Sequence, residues 1–178
     1  MAEDLALWLK AALECGFTEA YPLDVQKLVS RPDVRAACRQ DLCGSYGRNW
    51  TCPPYCGTPE ECEERMHGYA QGLLLLTVGQ LRRAIDSKGY LRTEAEHLEH
   101  FRQFSAQLRA QYPQALCLGA GGCRICPKCA WPEPCRFPEQ ACSSMEGYGL
   151  FVTQVCRDCG AAYYHGEKTV TYFACALF

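Results

Sequence analysis

Between residues 72 and 79 the chain reads GLLLLTVG, a short apolar run bounded by two glycines. A run of this length between glycines is typical of a fully buried strand, although periodicity alone does not separate it from a short buried helix. We therefore predict a central strand here, with the rest of the fold built around it. The run is too short to cross a bilayer, which takes about 20 residues.

Helical patterns lie on both sides of this strand. Residues 4–15 have apolar residues at helical spacing, and two further helices are expected to begin at Pro32 and Pro59. A longer helix is predicted over residues 93–112, with Thr93 and Glu96 as a capping box. The stretch MEGYGLFVTQVCRDCG, residues 145–160, is expected to form one more helix.

Additional strands are predicted at residues 20–23 and 115–118, and a hairpin is predicted from residues 161–164 and 170–177 around the turn HGEK. No linker or internal repeat divides the chain. We therefore expect residues 1–178 to form a single α+β domain. In this domain a small central β-sheet is flanked by helices, and two cysteine-rich loops bind metal.

The cysteine content limits the possible functions. The chain has 15 cysteines in 178 residues, and its N-terminus, MAEDLALWLK, has acidic residues where a signal peptide carries positive charge. We expect a soluble cytoplasmic protein, whose thiols are kept reduced and serve as metal ligands or redox groups. The net charge of −2 and the lack of a strong basic block argue against nucleic-acid binding.

Three cysteines follow one another at Cys-x2-Cys-x2-Cys spacing, the spacing by which bacterial ferredoxins wrap a loop around a cubane. They are Cys123, Cys126 and Cys129, and Cys135 is the expected fourth ligand after a gap of five residues. Thiolate is a soft donor suited to iron. The pattern predicts a [4Fe-4S] cluster on these four residues.

Zinc is the alternative metal, because two Cys-x2-Cys pairs form a tetrahedral site. Cys123 and Cys126 would then pair with Cys156 and Cys159. Cys129 counts against this arrangement, since a third thiol at the same spacing has no role in a filled four-coordinate site. Cys142 lies near enough in sequence to replace Cys135.

A second metal site is predicted in the first cysteine-rich loop, although the spacing of its cysteines matches no known motif. Its expected ligands are Cys38, Cys43, Cys52 and Cys56. The alternative is that some of them are buried apolar thiols, the interpretation also given to Cys15, Cys117 and Cys175. The role of Cys62 is left open.

Other polar residues give weaker signals. The spacing of His97 and His100 places them on the same face of a helix. We expect this face to be solvated rather than to bind a metal. The only basic concentration near cysteines consists of Arg31, Arg35, Arg39 and Arg48. Cations beside a cluster raise its potential or dock an acidic partner, although ordinary surface arginine is the simpler explanation. Residues considered for that role are Arg48, Trp50, Arg124 and Arg136.

The motifs in order resemble a known family. They read CGSYGRNWTCPPYCGTPEEC from residue 43, GGCRICPKCAWPEPCRFPE from residue 121, SSMEGYGLFVTQVC from residue 143 and YYHGEKTVTYFACALF from residue 163. The chain is similar, from about residue 34 onward, to the cysteine-rich "predicted metal-binding proteins" of anaerobic bacteria and archaea, domain-of-unknown-function family 2284.

This resemblance implies that cysteines bind a metal, as iron-sulfur rather than zinc, and that the protein works in an anaerobic cytosol. It does not imply any established reaction. The family's cysteine pattern is matched by Cys38, Cys43, Cys52, Cys123, Cys126, Cys129 and Cys135. Cys159 takes the place of a non-cysteine residue, which weakens its zinc pairing with Cys156.

The sequence therefore favours an iron-sulfur electron carrier or accessory protein that meets a redox partner protein. A zinc-stabilised structural or protein-interaction module is the alternative. A cluster that binds substrate at an open iron is a third hypothesis, but no nucleotide loop, catalytic triad or paired-carboxylate motif supports an enzymatic reaction.

Overall fold

The GLLLLTVG run forms the strand around which the rest of the chain packs. The computed structural model describes residues 2–178. Its helices are α1 (Ala2–Glu14), α2 (Pro32–Cys38), α3 (Pro59–His67), α4 (Ser87–Gln111) and α5 (Val152–Cys159). Its strands are β1 (Glu19–Leu23), β2 (Gly72–Gln80), β3 (Leu116–Gly119), β4 (Ser143–Ser144) and β5 (Thr169–Leu177). Two short 3-10 turns span Val25–Lys27 and Glu146–Tyr148.

The five strands form one sheet in the order β1-β2-β5-β3-β4. All neighbouring strands are antiparallel except β3 and β4, which are parallel. Within β2, Leu75 lies opposite Ala20 of β1 on one side and Ala174 of β5 on the other. The predicted central strand and the α+β class are both confirmed.

The consecutive leucines of β2 explain why the sheet is covered on both faces. Successive side chains of a strand point to opposite faces. Leu73 and Leu75 pack with residues of α1 and α4, whereas Leu74 and Leu76 pack with residues of α3 and α5. All four are fully buried, and each buried leucine contributes about 1.5–3 kcal/mol of transfer free energy.

The predicted start of the long helix at Thr93 is wrong. Helix α4 begins six residues earlier, where the Asp86 carboxylate accepts a hydrogen bond of 3.0 Å from the Gly89 amide. Thr93 lies inside the helix, fully buried, and its hydroxyl donates to the Gly89 carbonyl at 3.0 Å. Gly79 of β2 leaves the space that Thr93 occupies, because a Cβ there would lie 1.9 Å from the Thr93 Oγ1.

The predicted solvated face of His97 is also wrong. His97 is fully buried on the side of α4 that faces the sheet, and its Nδ1 lies 3.0 Å from the Thr77 hydroxyl. His100 is only half-buried, with its Nδ1 3.3 Å from the same hydroxyl. The side chain of Thr77, a polar residue in the apolar β2 run, therefore hydrogen-bonds to helix α4.

The C-terminal part differs from its prediction in two ways. Residues 145–160 do not form one helix, because Gly149 adopts a left-handed conformation with φ of 78° and separates the Glu146–Tyr148 turn from α5. Residues 161–164 form no strand. The predicted hairpin is absent from the described chain because β5 has β2 and β3 as neighbours on its two edges.

A search along residues 2–178 finds no helix with the length and apolar character needed to cross a bilayer.

Candidate metal centre

Two cysteine-rich loops meet beside the sheet. The first loop, residues 39–58, connects α2 to α3, and the second loop, residues 120–142, connects β3 to β4. The Trp50 indole N–H donates to the Glu133 carbonyl across the two loops at 2.8 Å. The Tyr55 ring lies between the two tryptophans, with centroid distances of 5.2 Å to Trp50 and 5.7 Å to Trp131. An aromatic contact therefore fixes the loops against each other.

The backbones of the loops also approach closely. The Cys123 amide donates to the Thr51 hydroxyl at 3.4 Å. Gly122 stands next to the first loop, because a Cβ at that position would lie 3.3 Å from the Cys52 sulfur. Gly121 has a φ of 72°, which favours glycine and turns the chain into the cysteine run. The glycines before Cys123 thus permit this close contact.

The four cysteines predicted to hold the cluster line one pocket of the second loop. Its walls also include Trp50 and Thr51 of the first loop and Arg136 and Phe137 of the second. The four cysteines are Cys123, Cys126, Cys129 and Cys135. All four side chains are half-buried. The structure therefore brings these residues to one place, where first-loop side chains cover them.

The donor chemistry of this pocket fits a soft metal. None of the described residues that line it is His, Asp or Glu, so thiols are its only strong metal ligands. Among the side chains described, no three Cys, His, Asp or Glu residues are already grouped around one point as metal ligands. The four thiols instead lie along the wall of one pocket, which the Arg136 cation also lines.

The other arginines considered for this site are engaged elsewhere. Arg124 forms an ion pair of 2.8 Å with Glu94 of helix α4. Arg48 pairs with Asp41 within the first loop. Arg136 donates to the Lys128 carbonyl at 3.3 Å, which holds it on the second loop. Arg136 is therefore the arginine of this set that lines the four-cysteine pocket.

Cys38, at the end of α2, shares one neighbourhood with Cys43 and Cys52 of the first loop. The pKa of Cys52 is raised to about 11, mainly by burial and in smaller part by the nearby thiols of Cys43, Cys38 and Cys123. Burial likewise raises the pKa of Cys38, with Arg35 acting in the opposite direction. A metal that binds here must displace these protons, so its affinity will rise with pH.

Cys56 lies in a different environment from those three. Its sulfur and that of Cys62 are each 3.6 Å from the same Arg35 nitrogen, Nη1. The Cys56 thiol donates to the Gly147 carbonyl at 3.3 Å, and the Cys62 thiol donates to the Cys56 carbonyl at 3.6 Å. The Cys56 thiol and the Arg35 guanidinium lower the pKa of Cys62 to about 7. The neighbouring Cys62 thiol and burial raise the pKa of Cys56, and Arg35 acts in the opposite direction.

Arg35 is the residue of this region whose role the sequence did not reveal. It was one of four basic residues near the cysteines, yet it is only 9% exposed. Its guanidinium donates to the carbonyls of Gly147 and Gly57, both at 2.7 Å. The only sequence signal was its position on α2 one turn before Cys38.

The cysteines of the alternative zinc site lie elsewhere. Cys156 and Cys159 are on α5, which packs against β1 and β2, and neither lines the four-cysteine pocket. Burial raises their pKa values to about 12 and 11. Within residues 2–178 the structure therefore does not assemble the pairing of Cys156 and Cys159 with Cys123 and Cys126.

The remaining cysteines are core or peripheral residues. Cys142 lies 3.3 Å from an Arg109 nitrogen, and it is not among the residues that line the pocket. Cys15, Cys117 and Cys175 are buried, as predicted. Cys62 is fully buried as well.

A family model described as "Predicted metal-binding protein (DUF2284)" matches residues 21–178, a range that contains both loops. Comparison with curated proteins and with solved structures gave no match.

Proposed function

This chain belongs to the family of predicted metal-binding proteins (DUF2284), as its motifs indicated, and from that premise we propose that it carries a [4Fe-4S] cluster on its second loop. Membership and the 15 cysteines support metal binding. One observation supports iron-sulfur in particular. Cys123, Cys126 and Cys129, at ferredoxin spacing, line one pocket together with Cys135.

The residues of the pocket have distinct roles in this proposal. The four thiolates hold the cluster, and Trp50 and Phe137 limit the access of water to it. Arg136 places a positive charge beside an anionic group, which raises the potential of a cluster and offers a surface to an acidic partner. Such a cluster, when bound, accepts and donates single electrons at low potential.

The biological role that follows is electron transfer in the cytoplasm, in support of an anaerobic enzyme system. A redox partner protein would dock at the junction of the two loops, to which Arg136 and the exposed Tyr55 ring both belong. Because both loops contribute to the pocket wall, the docking surface would include residues of each. Tyr55 is 41% exposed, so it is accessible to a partner.

A second metal site in the first loop is proposed with Cys38, Cys43 and Cys52 as ligands. Their support is their proximity: the Cys43 thiol raises the pKa of both Cys38 and Cys52, and the Cys52 sulfur lies against Gly122, next to Cys123 of the second loop. Ligation by Cys56 as well, as the sequence predicted, requires its thiol to leave Arg35 and Cys62.

The cluster is tested by Cys126→Ser, with Cys159→Ser as a matched control of similar burial outside the pocket. Both proteins and the wild type are purified without oxygen. We expect a brown wild type whose visible absorption is bleached by dithionite, the same behaviour in C159S, and loss of that absorption in C126S. A colourless wild type that holds zinc alone would overturn the cluster proposal and favour the zinc-stabilised module.

A further inference from the structure

Arg35 is a buried cation in contact with two thiols. Among the side chains that the structure describes, no ion pair with a carboxylate includes Arg35. The guanidinium faces two carbonyl oxygens and the sulfurs of Cys56 and Cys62. A buried charge is costly unless an opposite charge or strong hydrogen bonds compensate it. A thiolate beside Arg35 is therefore stabilised, since adjacent cations favour the ionised form.

The two thiols at Arg35 differ in their access to solvent. Cys62, in the second turn of α3, is fully buried. Cys56 is 7% exposed and lines an open cavity of about 470 Å³. That volume lies in the range of small-molecule sites, which is about 300–1,000 Å³. Cys56 therefore borders the cavity from which a reagent would approach, whereas Cys62 does not line it.

The cavity has polar and aromatic walls suited to a small polar molecule. Arg65 donates to the Tyr148 hydroxyl and, at 3.4 Å, to the Cys56 carbonyl, so its position is fixed beside the reachable sulfur. The rings of Trp50 and Tyr55 form another part of the wall. The cavity adjoins the four-cysteine pocket, with which it shares Trp50 and Cys135.

We propose that Cys56 and Cys62 form a redox-active dithiol that undergoes exchange with a low-molecular-weight thiol or disulfide bound in this cavity. The geometry that carries the proposal is the shared guanidinium between one accessible and one inaccessible sulfur. This activity is independent of the metal on the second loop and of that metal's identity.

The exchange proceeds in two balanced steps. A thiolate RS⁻ attacks the Cys56 sulfur of the oxidised pair, the Cys56–Cys62 bond breaks, and Cys62 leaves as a thiolate held by Arg35. A second thiolate RS⁻ then attacks the R sulfur of the mixed disulfide, which releases RSSR and the Cys56 thiolate. The two protons of the two RSH molecules end on Cys56 and Cys62. The reverse sequence reduces RSSR and oxidises the dithiol.

The cysteine pair of helix α5 provides a contrast within the same chain. Cys156 and Cys159 are also close in space, but burial dominates their environment and raises the pKa of both thiols. Neither cysteine lines the cavity. We therefore expect this pair to stay reduced under conditions that oxidise Cys56 and Cys62.

The proposal is tested on the full-length, metal-loaded protein purified without oxygen. The protein is equilibrated in mixtures of reduced and oxidised dithiothreitol, quenched in acid, alkylated and digested with trypsin. The tryptic peptide 49–65 contains Cys52, Cys56 and Cys62. Tandem mass spectrometry of this peptide therefore distinguishes a Cys56–Cys62 disulfide from one that involves Cys52. We expect a Cys56–Cys62 disulfide that titrates as a two-electron couple and is fully reversible. Cys156 and Cys159 of α5 should stay reduced and therefore be alkylated in every mixture.

Variants test the separate roles of the two sulfurs. With glutathione disulfide as the probe, Cys62→Ser is expected to accumulate one mixed disulfide at Cys56, whereas Cys56→Ser accumulates none at Cys62. Arg35→Leu should slow reduction of the disulfide by glutathione at least about tenfold, because a charge-assisted contact to the leaving thiolate is lost. Arg35→Lys keeps a positive charge and should retain most of the rate.

Two results would overturn the proposal. One is independent alkylation of Cys56 and Cys62 in every dithiothreitol mixture. The other is a Cys56 thiol that is protected in the metal-loaded protein and becomes reactive only after chelation, because Cys56 would then be a metal ligand. Both results are obtained with the wild type, so they decide the question even if Arg35 variants do not fold. Neither depends on whether the second loop holds iron or zinc.

Discussion

Among the described side chains, Tyr55 is the one whose ring contacts both tryptophans of the loop junction. It lies 5.2 Å from Trp50 and 5.7 Å from Trp131 by ring centroids, and it is 41% exposed. An aromatic pair contributes about 0.5–1.5 kcal/mol beyond its area burial. At the scale of one residue, this contact keeps the first loop over the four-cysteine pocket.

We therefore expect Tyr55→Leu to release bound metal to a chelator about three- to tenfold faster than the wild type. The core should be affected less, because the ring packs against the tryptophans of the loops and not against the buried residues of the sheet. The measurement is the rate of metal transfer to a coloured chelator under anaerobic conditions. Tyr164→Leu, a change at a more exposed ring (66%), is the control, and equal release rates for the two variants would contradict the role of Tyr55.

His97 makes a residue-scale prediction about pH. Burial lowers its pKa from 6.5 to about 4, and the nearby His100 acts in the same direction. The unfolded chain keeps the ordinary pKa of about 6.5, so below that pH the unfolded state binds a proton that the folded state does not. Stability is therefore lost as the pH falls from about 6.5 to about 4.

We expect this one group to remove about 2 kcal/mol of unfolding free energy between pH 7 and pH 5. Denaturant unfolding of the wild type and of His97→Gln at both pH values measures it. The variant lacks the titrating group, so its loss of stability should be smaller by that amount. The same pH dependence in both proteins would mean that His97 titrates normally.

At the scale of elements, helix α3 holds Cys62 in place through its N-terminal cap. The Thr58 hydroxyl accepts from the Glu61 amide at 3.2 Å, and the Glu61 carboxylate accepts from the Thr58 amide at 2.8 Å. Loss of such a cap costs about 1 kcal/mol. Because Cys62 is the next residue after Glu61, fraying here would move its sulfur away from Arg35.

Thr58→Ala is accordingly expected to lower the unfolding free energy by about 1 kcal/mol and to increase alkylation of Cys62 in the folded protein. Thr58→Ser retains the hydroxyl acceptor and should behave as the wild type. The two readouts are denaturant unfolding and peptide-resolved alkylation. An alanine variant that matches the serine variant in both would show that the cap does not control this turn.

The elements predicted correctly from the sequence are those with strong local signals. The glycine-bounded leucines identified β2, and Pro32 and Pro59 marked the first turns of α2 and α3. The long helix was misplaced because Thr93 and Glu96 imitate a cap, whereas Thr93 is needed inside the helix to fill the space left by Gly79. The hairpin failed because β5 pairs with two strands distant in sequence, which no local pattern reports.

At the scale of the whole molecule, the four-cysteine pocket followed from spacing alone because its thiols lie within one loop. The contact of Arg35 with Cys56 and Cys62 could not be predicted from spacing. Arg35 is 21 residues from Cys56 and 27 from Cys62, and it reaches them only through the packing of α2 and α3. The buried position of His97 was likewise hidden, because it depends on a hydroxyl of β2, 20 residues away.

The molecule separates its core from the second cysteine-rich loop. The leucines of β2 are buried between two groups of helices, while the pocket thiols lie on a connection outside the sheet. Removal of the metal by a chelator should therefore abolish hydrogen-exchange protection in residues 120–142 and leave it in β2 and β5. Simultaneous loss of protection in β2 and in the loop would contradict this separation and indicate that the metal holds the whole fold together.

The central claim is that Cys123, Cys126, Cys129 and Cys135 carry an iron-sulfur cubane. The most direct measurement is the count of iron and acid-labile sulfide per chain in anaerobically purified protein. One cubane predicts about four of each, and a second cluster in the first loop raises both to about eight. Stoichiometric zinc without sulfide would contradict the claim.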